Sequence, residues 1–174
     1  MTMNDFDGNG AVALYSPTAR TAFGVFAEHD RDSDGELYGV QANVLAKRWN
    51  NFDSQANAYF LSGWGITSND DPGGYVGSQI DWENRRYFVS YENRYSFAKD
   101  IREEFSHKAR LGIAPYIAEA GALHSWLMLQ VDHMPEDENN WRVTPLVRLF
   151  KGDYLGEAGI SNRGEILFNF NINF

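Results

Sequence analysis

Charged side chains of both signs recur at alternate positions along much of the chain, and these residues are the ones best placed to do chemistry. Alternate residues of an extended strand share one face, so such side chains can converge on a common space. There they could pair with one another or line a narrow passage that selects small hydrophilic solutes. The predicted lumen-lining set is Arg20, Glu28, Lys47, Asp81, Glu83, Glu92, Arg94, Lys108, Arg110, His124, Asp132, Arg142, Arg148 and Glu165.

A second candidate site is the acidic segment Asp30-x-Asp32-x-Asp34-Gly35, which matches the first half of a calcium loop. Alternate carboxylates can converge on one Ca²⁺ ion, and the glycine allows the sharp turn. The bidentate Glu expected at the twelfth position is missing, because Gln41 stands there. Ca²⁺ is therefore one interpretation and a solvated hairpin loop is the other; we expect no further cofactor.

Histidines are the remaining groups that could support catalysis. His124 and Asp132 share the polar face, and His133 could pair with Ser106 or Ser161 if the fold brings them together. No serine lies in a nucleophile-elbow motif, and the sequence has no HExxH zinc motif. We therefore predict that the chain is not an enzyme, with a lipid-modifying hydrolase or transferase as the open alternative.

In the segments that would carry these residues, apolar and polar side chains alternate with a period of two residues. The C-terminal segment places Ile166, Phe168, Phe170, Ile172 and Phe174 on one face and asparagines on the other. Only an extended strand separates the two sets. The same alternation predicts strands over 19–29, 36–48, 55–67, 74–83, 86–98, 106–118, 122–133, 141–150 and 154–161.

These strands follow one another without room for crossover helices, so the sheet is predicted to be antiparallel. Up-and-down closure hides the edges of such a sheet. We therefore expect an all-β, antiparallel up-and-down β-barrel of about ten strands, with eight or twelve also compatible. The barrel would span residues 18–174, and residues 1–17 would plug the lumen or add a strand.

Composition narrows the function classes. The chain has 174 residues, enough for one domain, and a formal net charge of -9, which argues against nucleic-acid binding. It has no cysteine, so thiolate catalysis and disulfides are excluded. It also lacks an apolar run long enough for a transmembrane helix.

Alternation alone does not say which face is inside, because a soluble calyx and a membrane barrel share the pattern. Three features favour the membrane. Most predicted strands are long enough to cross a bilayer at a tilt. Alternate connections are shorter, as in barrels with short periplasmic turns. Aromatic residues lie near strand ends on the apolar face, including Tyr38, Trp64, Trp82, Trp141 and Tyr154.

The C-terminal strand, which alternates from Ile166 to the final Phe174, resembles that of Gram-negative outer-membrane β-barrel proteins. In that class a terminal aromatic residue with alternating apolar residues is the signal for the barrel-assembly machinery. The resemblance implies that Phe170, Ile172 and Phe174 form this signal. It also implies contact with outer-membrane lipid and removal of a signal peptide, which this sequence does not contain.

The sequence thus predicts a bacterial outer-membrane barrel that acts as a small passive channel, or as a structural barrel with a polar, charge-paired lumen. One alternative is a soluble calyx that binds an apolar ligand against the same Phe, Ile and Val residues. The second is an outer-membrane enzyme that modifies lipid.

Overall fold

The computed structural model describes residues 1–4, 8–31, 33–117, 119, 121–136 and 140–173. Within them the chain forms strands only, and no helix is long and apolar enough to cross a membrane. The strands are β1 (Thr2–Asn4), β2 (Gly8–Thr18), β3 (Thr21–Asp30), β4 (Glu36–Asn50), β5 (Ser54–Thr67), β6 (Pro72–Asn84), β7 (Tyr87–Ala98), β8 (Arg102–Ile113), β9 (His124–His133), β10 (Trp141–Lys151), β11 (Tyr154–Ile160) and β12 (Ile166–Ile172).

Each strand pairs antiparallel with its neighbour in sequence, and β1 closes the ring by pairing with β12. The prediction of an all-β antiparallel closed barrel is confirmed. The ten expected strands correspond to β3–β12. The structure has twelve in the described part of the chain, because residues 2–4 and 8–18 also join the wall. Small residues such as Gly8, Gly10 and Ala11 weaken the alternation there. For this reason the sequence did not decide whether residues 1–17 plug the lumen or add a strand.

The apolar face of the wall points outward. Val40 is 61% exposed and Ile166 is 63% exposed, whereas Gln130 on the inner face is 1% exposed. A soluble protein buries apolar side chains and exposes polar ones, so this arrangement is inverted. A soluble calyx would enclose the apolar face, and the structure does not do so.

A bulge in β4 changes which side chains enter the lumen. The register shifts between Leu45 and Lys47, so Lys47 pairs with Ala58 on the outer face. The Lys47 ammonium lies 4.9 Å from the centre of the Trp49 ring. The prediction that Lys47 lines the lumen is wrong, because the extra residue Ala46 reverses the alternation after it.

The connections define two ends of the barrel. The turn end carries the connections 19–20, 51–53, 85–86, 114–123 and 152–153, and the loop end carries 31–35, 68–71, 99–101, 134–140 and 161–165. Connection 114–123 is longer than expected because β8 stops at Ile113, two residues before Pro115. Proline cannot donate to a strand ladder, which explains the early end.

Arg20 lies in the turn 19–20 and not in the lumen, so the prediction that Arg20 lines the lumen is also wrong.

Two apolar clusters fill part of the inside of the barrel. Phe26, Leu37, Tyr75 and Ala98 form one, and Met128, Leu146 and Leu167 form the other. Glycines opposite the aromatic rings make this packing possible: a Cβ on Gly63 would lie 2.3 Å from the Tyr75 ring. The clusters narrow the lumen and leave a polar space between them.

A candidate polar channel inside the barrel

A cavity of about 300 Å³ lies in the lumen, lined by side chains from β1–β3 and β6–β12. A smaller cavity of about 80 Å³ shares Glu92, Arg94, Arg102, Lys108 and Gln130 with it. The two spaces are therefore neighbours, separated by these polar side chains.

One group of charges centres on Glu28 of β3. Its carboxylate accepts hydrogen bonds from Arg94 at 2.9 Å and from Arg102 at 2.8 Å. Arg102 also lies 3.5 Å from Glu104. The Arg94 guanidinium stacks 3.7 Å from the centre of the Tyr75 ring, whose hydroxyl donates to Gln41 at 2.6 Å. Stacking and ion pairing together hold this guanidinium in place.

A second group centres on Glu157 of β11, whose side chain is 3% exposed. Its carboxylate accepts from Arg148 at 2.7 Å, from Asn169 at 2.9 Å and, more loosely, from Arg110 at 3.4 Å. Arg110 also donates to Gln130 at 2.7 Å. As in the first group, one carboxylate is shared by two guanidinium groups.

Each group places two guanidinium groups around one shared carboxylate, and both groups line the larger cavity. In the first group Glu104 adds a second carboxylate beside Arg102. Glu92 and Lys108 are register partners on β7 and β8 and line it as well. The surface of this cavity therefore offers guanidinium donors to a solute. Guanidinium groups bind carboxylates and phosphates with paired hydrogen bonds.

Further polar groups continue toward the turn end. Arg48 donates to Asn57 at 2.7 Å, and Asn57 donates to Asp81 at 2.7 Å. Glu83 follows Asp81 on the same face of β6. His124 faces inward at the start of β9, with its ring 6.2 Å from that of Phe150.

At the loop end Arg142, which is 6% exposed, pairs with Glu165 at 2.9 Å. Ser161 donates to the same carboxylate at 2.9 Å. Asp132 is buried and accepts from the Gln130 amide. Thus, of the predicted lining set, the structure places on the inner face of a strand all members except Arg20 in the turn 19–20, Lys47 on the outer face of β4 and Glu165 in the connection 161–165.

Sequence reasoning missed Arg48, Arg102 and Glu104. Arg48 takes the inward place expected for Lys47, and alternation gives no sign of the bulge that causes this. Arg102 and Glu104 fall in the segment 99–105 that was read as a loop, although β8 begins at Arg102. Alternation is weak there, because Glu103 and His107 between the inward positions of β8 are polar as well.

The acidic loop uses part of its oxygen donors internally. The Asp30 carboxylate accepts from the Ser33 backbone at 2.9 Å and from its hydroxyl at 2.8 Å. Asp34 lies 3.7 Å from His29, and Asp32 is outside the described residues. Across the described ranges no group of three or more His, Cys, Asp or Glu residues could hold a metal ion. Calcium binding at Asp30, Asp32 and Asp34 stays a prediction.

The serine and histidine residues considered for catalysis do not meet. His133 faces outward with Leu127 and Leu129, whereas Ser106 is on the inner face of β8. Ser161 is bonded to Glu165. The C-terminal strand presents Phe170 and Ile172 outward, and Phe174 lies outside the described residues.

The chain matches no family model and no curated protein sequence. Among solved structures it is similar to one described as "KdgM porin in complex with disordered oligogalacturonate", with a TM-score of 0.62 and 10% sequence identity. The match covers 96% of this chain and 92% of the other. A second structure, "KdgM porin", matches with a TM-score of 0.60 and 9% identity over the same shares. At this identity the similarity establishes the closed barrel fold alone.

Proposed function

We propose that this protein is a passive channel of the bacterial outer membrane for small hydrophilic solutes, with a preference for anions. The observation that carries the proposal is a charged cavity inside a closed wall whose outer face is apolar. Closed barrels satisfy every backbone group within the wall, so they can cross a bilayer. The turn end, where every connection except 114–123 is two or three residues long, would face the periplasm and the loop end the exterior.

The preference for anions follows from the guanidinium donors around Glu157. The arginine pair there carries one positive charge more than that carboxylate neutralises, whereas Glu104, 3.5 Å from Arg102, supplies a second negative charge to the pair around Glu28. A passing carboxylate can bind the outer N–H groups of these guanidiniums without displacing the whole ion pair. Binding that is favourable but shared among several sites allows entry as well as release.

The similar porin fold supports this interpretation, and one of the two solved structures contains oligogalacturonate. Galacturonate carries a carboxylate on each sugar unit. We therefore infer that carboxylated sugars are the solute class to test first. In this proposal the charged lumen groups bind and release the passing solute without changing it chemically, so the chain is not an enzyme.

A structural barrel with a closed lumen is the second candidate function. The apolar clusters around Tyr75 and Leu167 favour it, because they occupy part of the lumen. Barrels of about eight strands are filled by their own side chains, and those of sixteen or more leave a wide channel. With twelve strands this barrel lies between these limits.

Planar-bilayer recording separates the two candidates. A channel should give stepwise conductance, and a reversal potential in a KCl gradient should show that chloride passes more readily than potassium. The double variant Arg94→Gln/Arg148→Gln removes one guanidinium from each group and leaves each carboxylate one partner, Arg102 or Arg110. It should move the reversal potential toward cation preference.

Arg86→Gln is the matched control, because Arg86 lies in the turn 85–86 outside the lumen. It should leave the reversal potential unchanged. A folded barrel that inserts into the bilayer without conducting would instead support the structural barrel. Equal shifts in the control and the double variant would contradict the assignment of selectivity to the two arginine groups.

A further inference from the structure

One ion pair crosses the interior of the barrel. Glu28 lies on β3 and accepts a hydrogen bond at 2.8 Å from Arg102, the first residue of β8. Around the ring of described strands, β8 is five strands from β3 in one direction and seven in the other, so the two strands lie almost opposite each other. The shortest pair of the second group, Glu157 with Arg148, instead joins the neighbouring strands β11 and β10. We call the pair of Glu28 and Arg102 the cross-lumen bridge.

The Glu28 end of the bridge is held by the apolar cluster around Tyr75. Glu28 is also bonded to Arg94 at 2.9 Å, and the Arg94 guanidinium stacks 3.7 Å from the centre of the Tyr75 ring. Tyr75 in turn packs edge-on against Phe26 of β3, with ring centres 5.6 Å apart. Glu28 and Arg94 thus form one block with the cluster, and Arg102 reaches this block from the far wall.

Arg102 has a second carboxylate within reach, and this one lies on its own strand. Glu104 follows two residues later on the same face of β8, and its Oε1 lies 3.5 Å from Nη1 of Arg102. Glu28 takes up Nη2 of the same guanidinium, and Nε is buried with no hydrogen-bond partner in the described part of the chain. A guanidinium can bind a carboxylate through two parallel N–H groups. Arg102 therefore keeps donor capacity with which to bind Glu104.

The bridge lies where the two cavities meet. Arg102 lines both cavities, whereas Glu28 lines the larger one and Glu104 the smaller one. A solute that moves between the cavities therefore passes the Arg102 guanidinium. When this group turns from Glu28 to Glu104, it withdraws from the middle of the lumen to the wall of β8, and the junction of the cavities widens.

We propose that the cross-lumen bridge is the gate of the channel. It is closed while Glu28 holds Arg102 and open when Arg102 pairs with Glu104. Because one carboxylate replaces another, Arg102 stays paired in both states, and Glu28 stays paired with Arg94. A passing carboxylate competes with Glu28 for the N–H groups of Arg102, so anionic solutes favour the open state. This inference rests on the channel function proposed above.

Two variants that remove the same charge test the gate, because they should act in opposite directions. Glu28→Gln removes the carboxylate that holds Arg102 across the lumen, and Glu104→Gln removes the carboxylate that competes for it. In planar bilayers, Glu28→Gln should raise the fraction of time that single channels are open several-fold over wild type. Glu104→Gln should lower that fraction several-fold. A change in the same direction in both variants would be an effect of lumen charge alone and would overturn the gate.

Glu28→Asp is the second variant, and it separates reach from charge. It keeps the carboxylate beside Arg94 but shortens the side chain by one methylene group, so the bond to Arg102 should weaken and the open fraction should rise. Folding of each variant is checked by its heat-modifiable band. Conducting barrels whose open fraction changes in neither Glu28 variant overturn the gate alone. Folded barrels that do not conduct, as wild type and as both Glu28 variants, overturn the channel function as well.

Discussion

At the residue scale, the buried carboxylate of Glu157 is the most consequential single group in the lumen. It has two guanidinium partners and an amide partner, and its side chain is 3% exposed. Glu157→Gln would leave Arg110 and Arg148 without their counter-charge. Removing one partner of a buried ion pair typically costs roughly 3–5 kcal/mol. We expect a loss of that size in the free energy of unfolding, measured by urea titration in lipid vesicles with tryptophan fluorescence.

The control for this prediction is Asp71→Asn at the loop end. Asp71 pairs with Lys99 at 3.0 Å, and the Lys99 side chain is 63% exposed. The hydrogen bond and the charge of Asp71 raise the pKa of Lys99, yet exposed pairs contribute little to stability. The free energy of unfolding should stay within error in this variant. A comparable loss in both variants would contradict the role given to burial at Glu157.

Residues on the inner face were largely predictable, and the exceptions have local causes. Arg110 and Arg148 have apolar neighbours on both sides, and Glu28 and Arg94 keep the phase of their strands, so the face of all four follows from the period of a strand. Which carboxylate meets which guanidinium was not predictable. Glu28 and Arg94 lie on strands far apart in sequence, and only closure of the barrel brings them together.

At the element scale, the β4 bulge decides which of two adjacent basic residues enters the lumen. Ala46 is the extra residue between Leu45 and Lys47, so its deletion restores a regular ladder and keeps Lys47 outside and Arg48 inside. We expect deletion of Ala46 to leave the yield of heat-modifiable barrel nearly unchanged. The measurement is the fraction of folded band after refolding into detergent.

Deletion of Ala109 serves as the comparison. Ala109 is an outward alanine in the regular middle of β8, between Lys108 and Arg110. Without it, one of these charged side chains would turn toward lipid, because a one-residue shift reverses the faces of a strand. This variant should lose most of its folded band. A yield equal to that of the Ala46 deletion would show that β4 has no special tolerance.

Strand existence was predictable from alternation, whereas strand ends and defects were not. The ten alternating segments are all strands, and β1 and β2 were left open because most of their outward residues are small or polar. The bulge at Ala46 and the early end before Pro115 depend on local backbone geometry. A single proline or one extra residue changes such details without altering the hydrophobic pattern.

At the scale of the whole molecule, the inverted distribution of apolar and polar side chains predicts which tryptophans contact lipid. Trp64 faces outward from β5 and is 57% exposed, whereas Trp126 packs inside against Met128, Leu146 and Leu167. Variants that keep one of these two residues, with Phe at the other tryptophans, should differ in vesicles of brominated lipid. Trp64 fluorescence should be strongly quenched because bromine atoms reach its ring, and Trp126 fluorescence should change little because the wall lies between. Equal quenching would mean that lipid enters the lumen, and an unquenched Trp64 would place the apolar face outside the bilayer and so contradict the channel.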